Sequence, residues 1–454
     1  MPPKRIPIGS AVEEFSSVSL GDARLDARVL KLVGAIARDP AATFPRVVET
    51  VAEREATYRL LGNARVELFA LLLPHIEQTI GRIKHSGGRP LVVIDKTSFV
   101  FSGESDREGL DRLGERRVGF DCFFALAVTD KRVPLGIVAV EPADAHRRSR
   151  GDAWNAVITR AAGHVGASSP IFVMDREADT YGLFSTLLAE HRDFVVRVAT
   201  DRWVRDAKED WVKVEDAADV APVVMRRNVQ LSRRSRAANR APGAKRRHPP
   251  RDARDAVLTV RACTVTLPRP RMQPEQLPDS IRINLVRVRE EKPPKGVDAV
   301  EWLLFTTLPI ADAAGVTAIV DSYRARWTIE EYFKVLKTGC NYEKRQLESR
   351  HTLLNALGLL TPIAWRLLAL RSAGDDPTIR ASAVLDDDEL HVLRKLSVDI
   401  KLGSRPSAAI AIGALARLGG HFPQNGRPGW KVIWSGFEKL LQHVAGYRLA
   451  RAEM

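Results

Sequence analysis

PLVVIDKTSFVF, residues 90–101, is the stretch from which the fold class is read. Leu91–Ile94 form an apolar, β-branched run that ends directly in Asp95. Such a run reads as a buried strand, and a carboxylate at its end faces the crevice where open α/β sheets bind ligands. The pattern recurs in SPIFVMDREAD (169–179), where Ile171–Met174 lead into Asp175. Between them, FFALAVTDKRVPLGIVAVE (123–141) reads as a hairpin turned at Thr129–Arg132, and DAWNAVITRAAGHV (152–165) as a helix. DFVVRVAT (193–200) and EWLLFTTLP (301–309) read as further strands. The order strand, hairpin, helix, strand, helix, strand predicts an α/β core. Helices flank it. GDARLDARVLKLVGAIARD (21–39) places Leu25, Val29, Leu30, Val33 and Ile36 at helical spacing behind Asp22 as a cap. Residues 351–372 and most of 373–454 also read helical.

Either aspartate alone could be a helix cap. Two in one α/β unit weaken that reading. Neighbouring carboxylates repel unless a cation lies between them, and a hard divalent metal is the natural occupant. A helix predicted from about Ala314 to Lys337 adds Tyr323, Arg326, Glu330 and Lys337. At about 100° per residue these four share a stripe of about 60°. Ala325, Ile329, Tyr332, Phe333 and Leu336 fill a neighbouring arc that anchors the helix. A carboxylate flanked by arginine, lysine and a phenol suits a metal-bound phosphodiester. The spacing alone equally fits a salt-bridged surface, Arg326 and Glu330 being four residues apart.

The 454 residues carry 70 Lys+Arg against 56 Asp+Glu, a net charge of +14 that points to an anionic partner such as nucleic acid. Between Arg226 and Arg254 lie eleven basic residues, Arg246 and Arg247 among them, against Asp252 alone. With Pro242, Gly243, Pro249 and Pro250 this segment reads as a basic loop or arm for phosphate contact. The remainder of 200–300 reads as short strands. Three scattered cysteines (Cys122, Cys263, Cys340) offer neither metal spacing nor a disulfide framework. MPPKRIPIGSAVEEF lacks a signal-peptide core, and the apolar run Leu353–Leu370 is interrupted by Arg366. The expectation is therefore a cytoplasmic chain without a membrane partner.

The spacing Tyr323-x2-Arg326-x3-Glu330-x6-Lys337 resembles the signature of bacterial cut-and-paste transposases of the insertion-sequence-four family. Asp175-Arg-Glu-Ala-Asp179 resembles that family's second-aspartate motif, and Ile94-Asp95-Lys-Thr97-Ser98 its first. Phe194–Arg197 and Glu301-Trp302 resemble the strands that follow. Gly21–Arg24 and Glu55–Arg59 resemble the N-terminal DNA-binding region, and GWKVIWSGFEKL (429–440) the C-terminal helices. One departure is Gly119-Phe-Asp-Cys-Phe123, where the family often has His in place of Phe123.

The resemblance implies an α/β, RNase H-like catalytic core with a β-rich insertion, between N-terminal and C-terminal helical domains. Residues 1–70 would bind DNA, 71–372 would form the catalytic domain with its insertion at about 200–305, and 373–454 would serve dimerisation and synapsis. Asp95, Asp175 and Glu330 would hold two Mg²⁺ ions, with Mn²⁺ able to substitute. By the same resemblance, the enzyme nicks the transposon end, forms and resolves a hairpin, and transfers the strand to target DNA. Tyr323, Arg326, Lys337 and Arg197 would contact DNA near the cut, and Trp302 would stack on a flipped base. Arg28, Arg38 and Arg59 would recognise the transposon end, although each could be an ordinary solvated arginine. The partners implied are double-stranded DNA and a second copy of the chain, as a homodimer in the synaptic complex. A catalytically silent transposase-derived DNA-binding protein is the alternative.

Overall fold

The computed structural model describes residues 10–101, 107–114, 117–143, 150–231, 252–375 and 377–452. In chain order it begins with helices α1 (Ala23–Arg38), α2 (Phe44–Val47), α3 (Val51–Leu61) and α4 (Leu68–Ser86). Strands β1 (Leu91–Phe101), β2 (Asp111–Gly114), β3 (Arg117–Val128) and β4 (Pro134–Pro142) follow, then α5 (Arg150–Val165), β5 (Ile171–Met174), α6 (Tyr181–Ala189) and β6 (Asp193–Arg197). The next segment holds β7 (Trp203–Arg205), β8 (Trp211–Lys213), α7 (Val214–Val220), β9 (Val223–Leu231), β10 (Arg254–Pro268), β11 (Ser280–Glu290) and β12 (Glu301–Thr306). Six helices close the chain: α8 (Ala313–Ala325), α9 (Trp327–Lys334), α10 (Arg350–Ala373), α11 (Asp387–Leu396), α12 (Ala408–Leu418) and α13 (Trp430–Ala452). The chain divides into two compact units: one runs to Pro170 and resumes at Trp327, and the other is Ile171–Arg326.

In the first unit β3 is the centre of an antiparallel sheet. It pairs β1 along one edge, with β4 and β2 along the other. The β3–β4 hairpin turns as the sequence predicts, with the Thr129 N–H donating to the Val133 carbonyl at 3.0 Å. Gly136 on β4 has φ +148°, and a Cβ there would lie 1.9 Å from Thr79 Oγ1, so glycine lets α4 approach the sheet. Helix α10 is long and apolar enough to cross a membrane, but 94% of its apolar window is buried inside the protein. It is a core helix. The small helices pack around it: Arg345, 3% exposed, donates to the carbonyls of Pro40 and Cys340, and Asn355 donates to those of Leu61 and Val66. Asp22 caps α1 as expected, accepting the Arg24 N–H at 2.9 Å.

A buried polar network joins the N-terminal turn to α4, β4 and α10. Arg82 Nη1 donates to Glu14 Oε1 at 2.6 Å, and Arg82 Nη2 to Thr79 Oγ1 at 3.0 Å. The guanidinium lies 3.8 Å from the Trp365 ring centroid. The Ile137 N–H donates to His75 Nε2 at 3.0 Å, so that nitrogen carries no proton and Nδ1–H donates to Glu14. Burial lowers the His75 pKa. Burial pushes Glu14 up, but the charges and hydrogen bonds of His75 and Arg82 outweigh it and pull Glu14 down. At the C-terminal end, α12 and α13 cross closely: a Cβ on Gly436 would meet the Leu415 carbonyl oxygen at 1.7 Å.

In the second unit β5 and β6 run parallel, β12 pairs β6, and β11, β10 and the β7–β8 hairpin continue the sheet, with β9 also on β10. The sequence predicts short strands over 200–300; β7 and β8 are short, at 3 residues each, but β9, β10 and β11 span 9, 15 and 11 residues. The ends of the basic segment are strand, not loop. Arg226, Arg227 and Arg254 lie in β9 and β10 and pair with Glu291, Asp321 and Glu290. Arg246 and Arg247 lie outside the described residues.

The network yields a stability prediction. Glu14→Gln leaves Arg82 buried without its counter-charge and is expected to cost about 3–5 kcal/mol in urea unfolding. A loss below about 1 kcal/mol would contradict that role. Both folded pKa values lie below their unfolded ones, so this contribution is present at neutral pH. It is lost as pH falls below about 6.5 through His75 and then through the carboxylate range of Glu14.

Candidate active site

Unit one supplies two of the three predicted carboxylates. Asp95 follows four buried β1 residues, is itself 8% exposed, and accepts the Lys96 N–H at 2.8 Å. In register it stands opposite Phe124 of β3. Alternation along a strand puts Asp95, Thr97 and Phe99 on one face, with Phe124, Cys122 and Phe120 as cross-strand partners. Helix α9 packs on that face. Tyr332 and Phe333 lie 5.7 and 5.5 Å from the Phe124 ring, centroid to centroid. Glu330 is exposed and sits one turn before Phe333, on the helix held over the Asp95 face. Lys96 and Ser98 point the other way and engage Asp121.

Lys337 comes after α9, in a π-helical turn, Val335–Gly339. Its Nζ donates to the Ser98 carbonyl at 2.6 Å, lies 3.4 Å from Glu343, and sits 5.5 Å from the Phe99 ring centroid. Glu343 also accepts the Val100 N–H at 3.0 Å, which fixes it beside β1. No spacing signal pointed to Glu343. The single helix predicted from Ala314 to Lys337 is broken at Arg326, where the N–H closes on the Tyr323 carbonyl at 3.1 Å. That contact spans three residues instead of four. Together with the π turn, it ends the regular 100° progression from which the stripe was read.

Unit two supplies Asp175 at the C-terminal end of β5. Its side chain accepts the Glu177 N–H at 2.8 Å, capping the turn Arg176–Ala178. Burial raises its pKa, against the Glu177 hydrogen bond and the positive charge of Arg326. Asp179, in the same motif, has a different task. It is buried, accepts the Ala199 N–H at 2.7 Å, and pairs with Arg202. It ties the loop after β6 to the motif and is structural. Tyr323 is 6% exposed and packs edge-on against the half-buried Trp302, with centroids 5.6 Å apart at 61°. Arg197 Nη2 reaches the Glu301 carbonyl at 3.4 Å. Arg287, 5% exposed, anchors the same strand by donating to Glu301 Oε1 at 2.6 Å.

The N-terminal helices present basic side chains outward. Arg38 and Arg59 are exposed and Arg28 is half-buried. Arg59 lies 3.6 Å from Glu55, an exposed pair that contributes little to stability. Lys31 bonds Glu53 and holds its carboxyl down at about 2. Glu53 also completes the Thr50 capping box that starts α3.

The carboxylates of Asp95, Asp175 and Glu330 offer only oxygen donors, the set a hard divalent cation takes. Among the described residues no three His, Cys, Asp or Glu side chains are gathered tightly enough to enclose an ion. The donor chemistry fits a divalent metal, and within unit one the helix bearing Glu330 packs on the strand face that carries Asp95.

Residues 86–365 match the family described as "Transposase DDE domain", and residues 9–66 match "Transposase DNA-binding". The first match spans more than half of the chain, which therefore belongs to the DDE transposase family. That domain implies DNA transposition chemistry dependent on a divalent metal. Among solved structures the chain is similar to a piggyBac transposase, determined by cryo-EM as a synaptic complex with hairpin DNA. The identity is 12% and the TM-score 0.34, over 97% of this chain and 70% of that one. A likeness this slight carries no conclusion about the reaction.

The two aspartates of the 175–179 motif separate by experiment. Asp179→Ala strands Arg202 and is expected to cost about 2 kcal/mol, read as a lower Tm. Asp175→Asn relieves a burial penalty and is expected to leave Tm within about 0.5 kcal/mol equivalent of wild type. The reverse ranking would contradict the assignment of Asp179 as structural.

Proposed function

We propose that this chain is a cut-and-paste transposase of the insertion-sequence-four type, with an RNase H-like core and Asp95, Asp175 and Glu330 as its catalytic triad. The observation that carries the reading is the packing of Tyr332 and Phe333 on Phe124, which holds the Glu330 helix over the strand face bearing Asp95. Asp175, at the end of its own buried strand and within the field of Arg326, is the third oxygen donor. The triad would hold two Mg²⁺ ions, with Mn²⁺ as a substitute. A divalent metal held there would supply activation of water and stabilisation of the charge that develops on the phosphodiester.

The chain's own residues position the DNA. Arg326 is assigned to the phosphate at the cut. Lys337 joins it by exchanging Glu343 for a phosphate oxygen. Arg197 and Tyr323 complete the contacts, and Trp302 stacks on a base displaced from the duplex, offsetting an unstacking cost of roughly a few kcal/mol. Arg28, Arg38 and Arg59 read the transposon end, with Arg246 and Arg247 adding phosphate contacts. The reaction order we propose is nick, hairpin, resolution and strand transfer, carried out by a homodimer in which each copy holds one end.

Two outcomes test this. Glu330→Ala is expected to reduce Mg²⁺-dependent excision from a plasmid carrying the element's ends by about a thousandfold or more, with end binding unchanged. Excision near wild-type rates would sink the triad. Replacing Arg28, Arg38 and Arg59 singly with alanine is expected to lower the salt slope of end binding by about one each. A slope that stays unchanged would remove those residues from the interface.

A further inference from the structure

The β7–β8 hairpin carries a feature that none of the roles above uses. Its register places Trp203 opposite Lys213 and Arg205 opposite Trp211, with Val204 opposite Val212 between them. Alternation therefore puts both tryptophans and both cations on one face, and both valines on the other. Val204 is fully buried, which fixes the face on which the rings stand. The rings are 55% and 52% exposed. Lys213 Nζ lies 5.0 Å from the Trp203 centroid and Arg205 Cζ 5.0 Å from that of Trp211. The result is a two-by-two checkerboard of ring and cation on an exposed surface. A tryptophan left half in water, with a cation already against it, is prepared for a second flat group.

We propose that this face is a stacking platform for unpaired DNA bases. Two aromatic side chains set diagonally on adjacent strands are the arrangement by which a sheet takes up two successive unstacked bases. The charge balance favours bases over the backbone of a duplex. Arg205 is paired with Glu209 at 3.4 Å, and Asp206 accepts the Lys208 and Asp210 N–H groups to form the turn. From Asp201 to Lys213 the four basic residues are matched by four acids, so counterion release offers little here. Lys213 and Arg205 supply charge for the one or two phosphates that accompany the bases. The inference rests on the reading that the chain binds DNA and is independent of the triad.

The test uses the full chain in EDTA, with labelled oligo-dT of about 12 nucleotides and a duplex of equal length as probes. Trp203→Ala combined with Trp211→Ala is expected to weaken oligo-dT binding about tenfold per ring, and to leave duplex binding within about threefold. Combining Trp203→Phe and Trp211→Phe should restore most of the oligo-dT affinity. The wild-type salt slope on oligo-dT attributable to this face should be no steeper than about −1.4. Unchanged oligo-dT affinity in the alanine variant would overturn the proposal. So would parallel loss on both probes, or a change in oligomeric state with oligo-dT affinity unmoved. Metal-dependent excision is measured separately, so failure of the triad and failure of the platform are distinguishable.

Discussion

The packing of Tyr332 and Phe333 against Phe124 is the constraint on which the catalytic reading depends. Phe124 stands directly across from Asp95, and Glu330 is one turn from Phe333. An aromatic contact inside the core thus determines which face of the sheet an exposed carboxylate overhangs. The rest of unit one supports that contact. Phe99 meets Phe124 and Tyr342 edge-on, and Tyr342 donates its hydroxyl to the Leu353 carbonyl at the start of α10. Helix α10 in turn carries Trp365, against which the buried Glu14–Arg82 pair rests. Glu330 is exposed, but its placement is decided by buried residues.

The polar interior extends the same logic to the N-terminal helices. Arg345 and Asn355 bind backbone carbonyls of residues 40–66 from inside the unit. Arg345 Nη2 and Asn355 Nδ2 reach main-chain acceptors, which lowers the cost of burying an arginine or an amide. These contacts hold the DNA-binding segment without using the outward arginines, which stay available for phosphate.

Asp175 at its strand end, the β3–β4 hairpin and the Asp22 cap were legible because each rests on local chemistry: apolar runs, turn residues and a short side chain before a helix. Asp95, expected at a strand end, instead lies inside β1, which continues to Phe101 because Lys96–Phe101 go on pairing with β3. The break at Arg326 and the π turn at Val335 were not legible, because a periodicity argument assumes one regular helix. Long-range partners were also hidden. Nothing local marks Arg202 as the partner of Asp179, or Glu343 as the neighbour of Lys337. The basic segment misled in part for the same reason. Its charges were counted, but the acids that meet Arg226, Arg227 and Arg254 lie 36 to 94 residues further along the chain. The resemblance of the Tyr323–Lys337 spacing to a transposase signature pointed to a transposase, and the match over residues 86–365 shows the DDE transposase family.

The proposed triad of Asp95, Asp175 and Glu330 has a direct test. Fe²⁺ bound in place of Mg²⁺, with ascorbate and peroxide, cuts the backbone next to the ion, and the fragments can be mapped by mass spectrometry. The account predicts cuts clustered near residues 95, 175 and 330 that Mg²⁺ suppresses competitively. Cuts near 95 and 330 with none near 175, or no site-specific cutting at all, would contradict it.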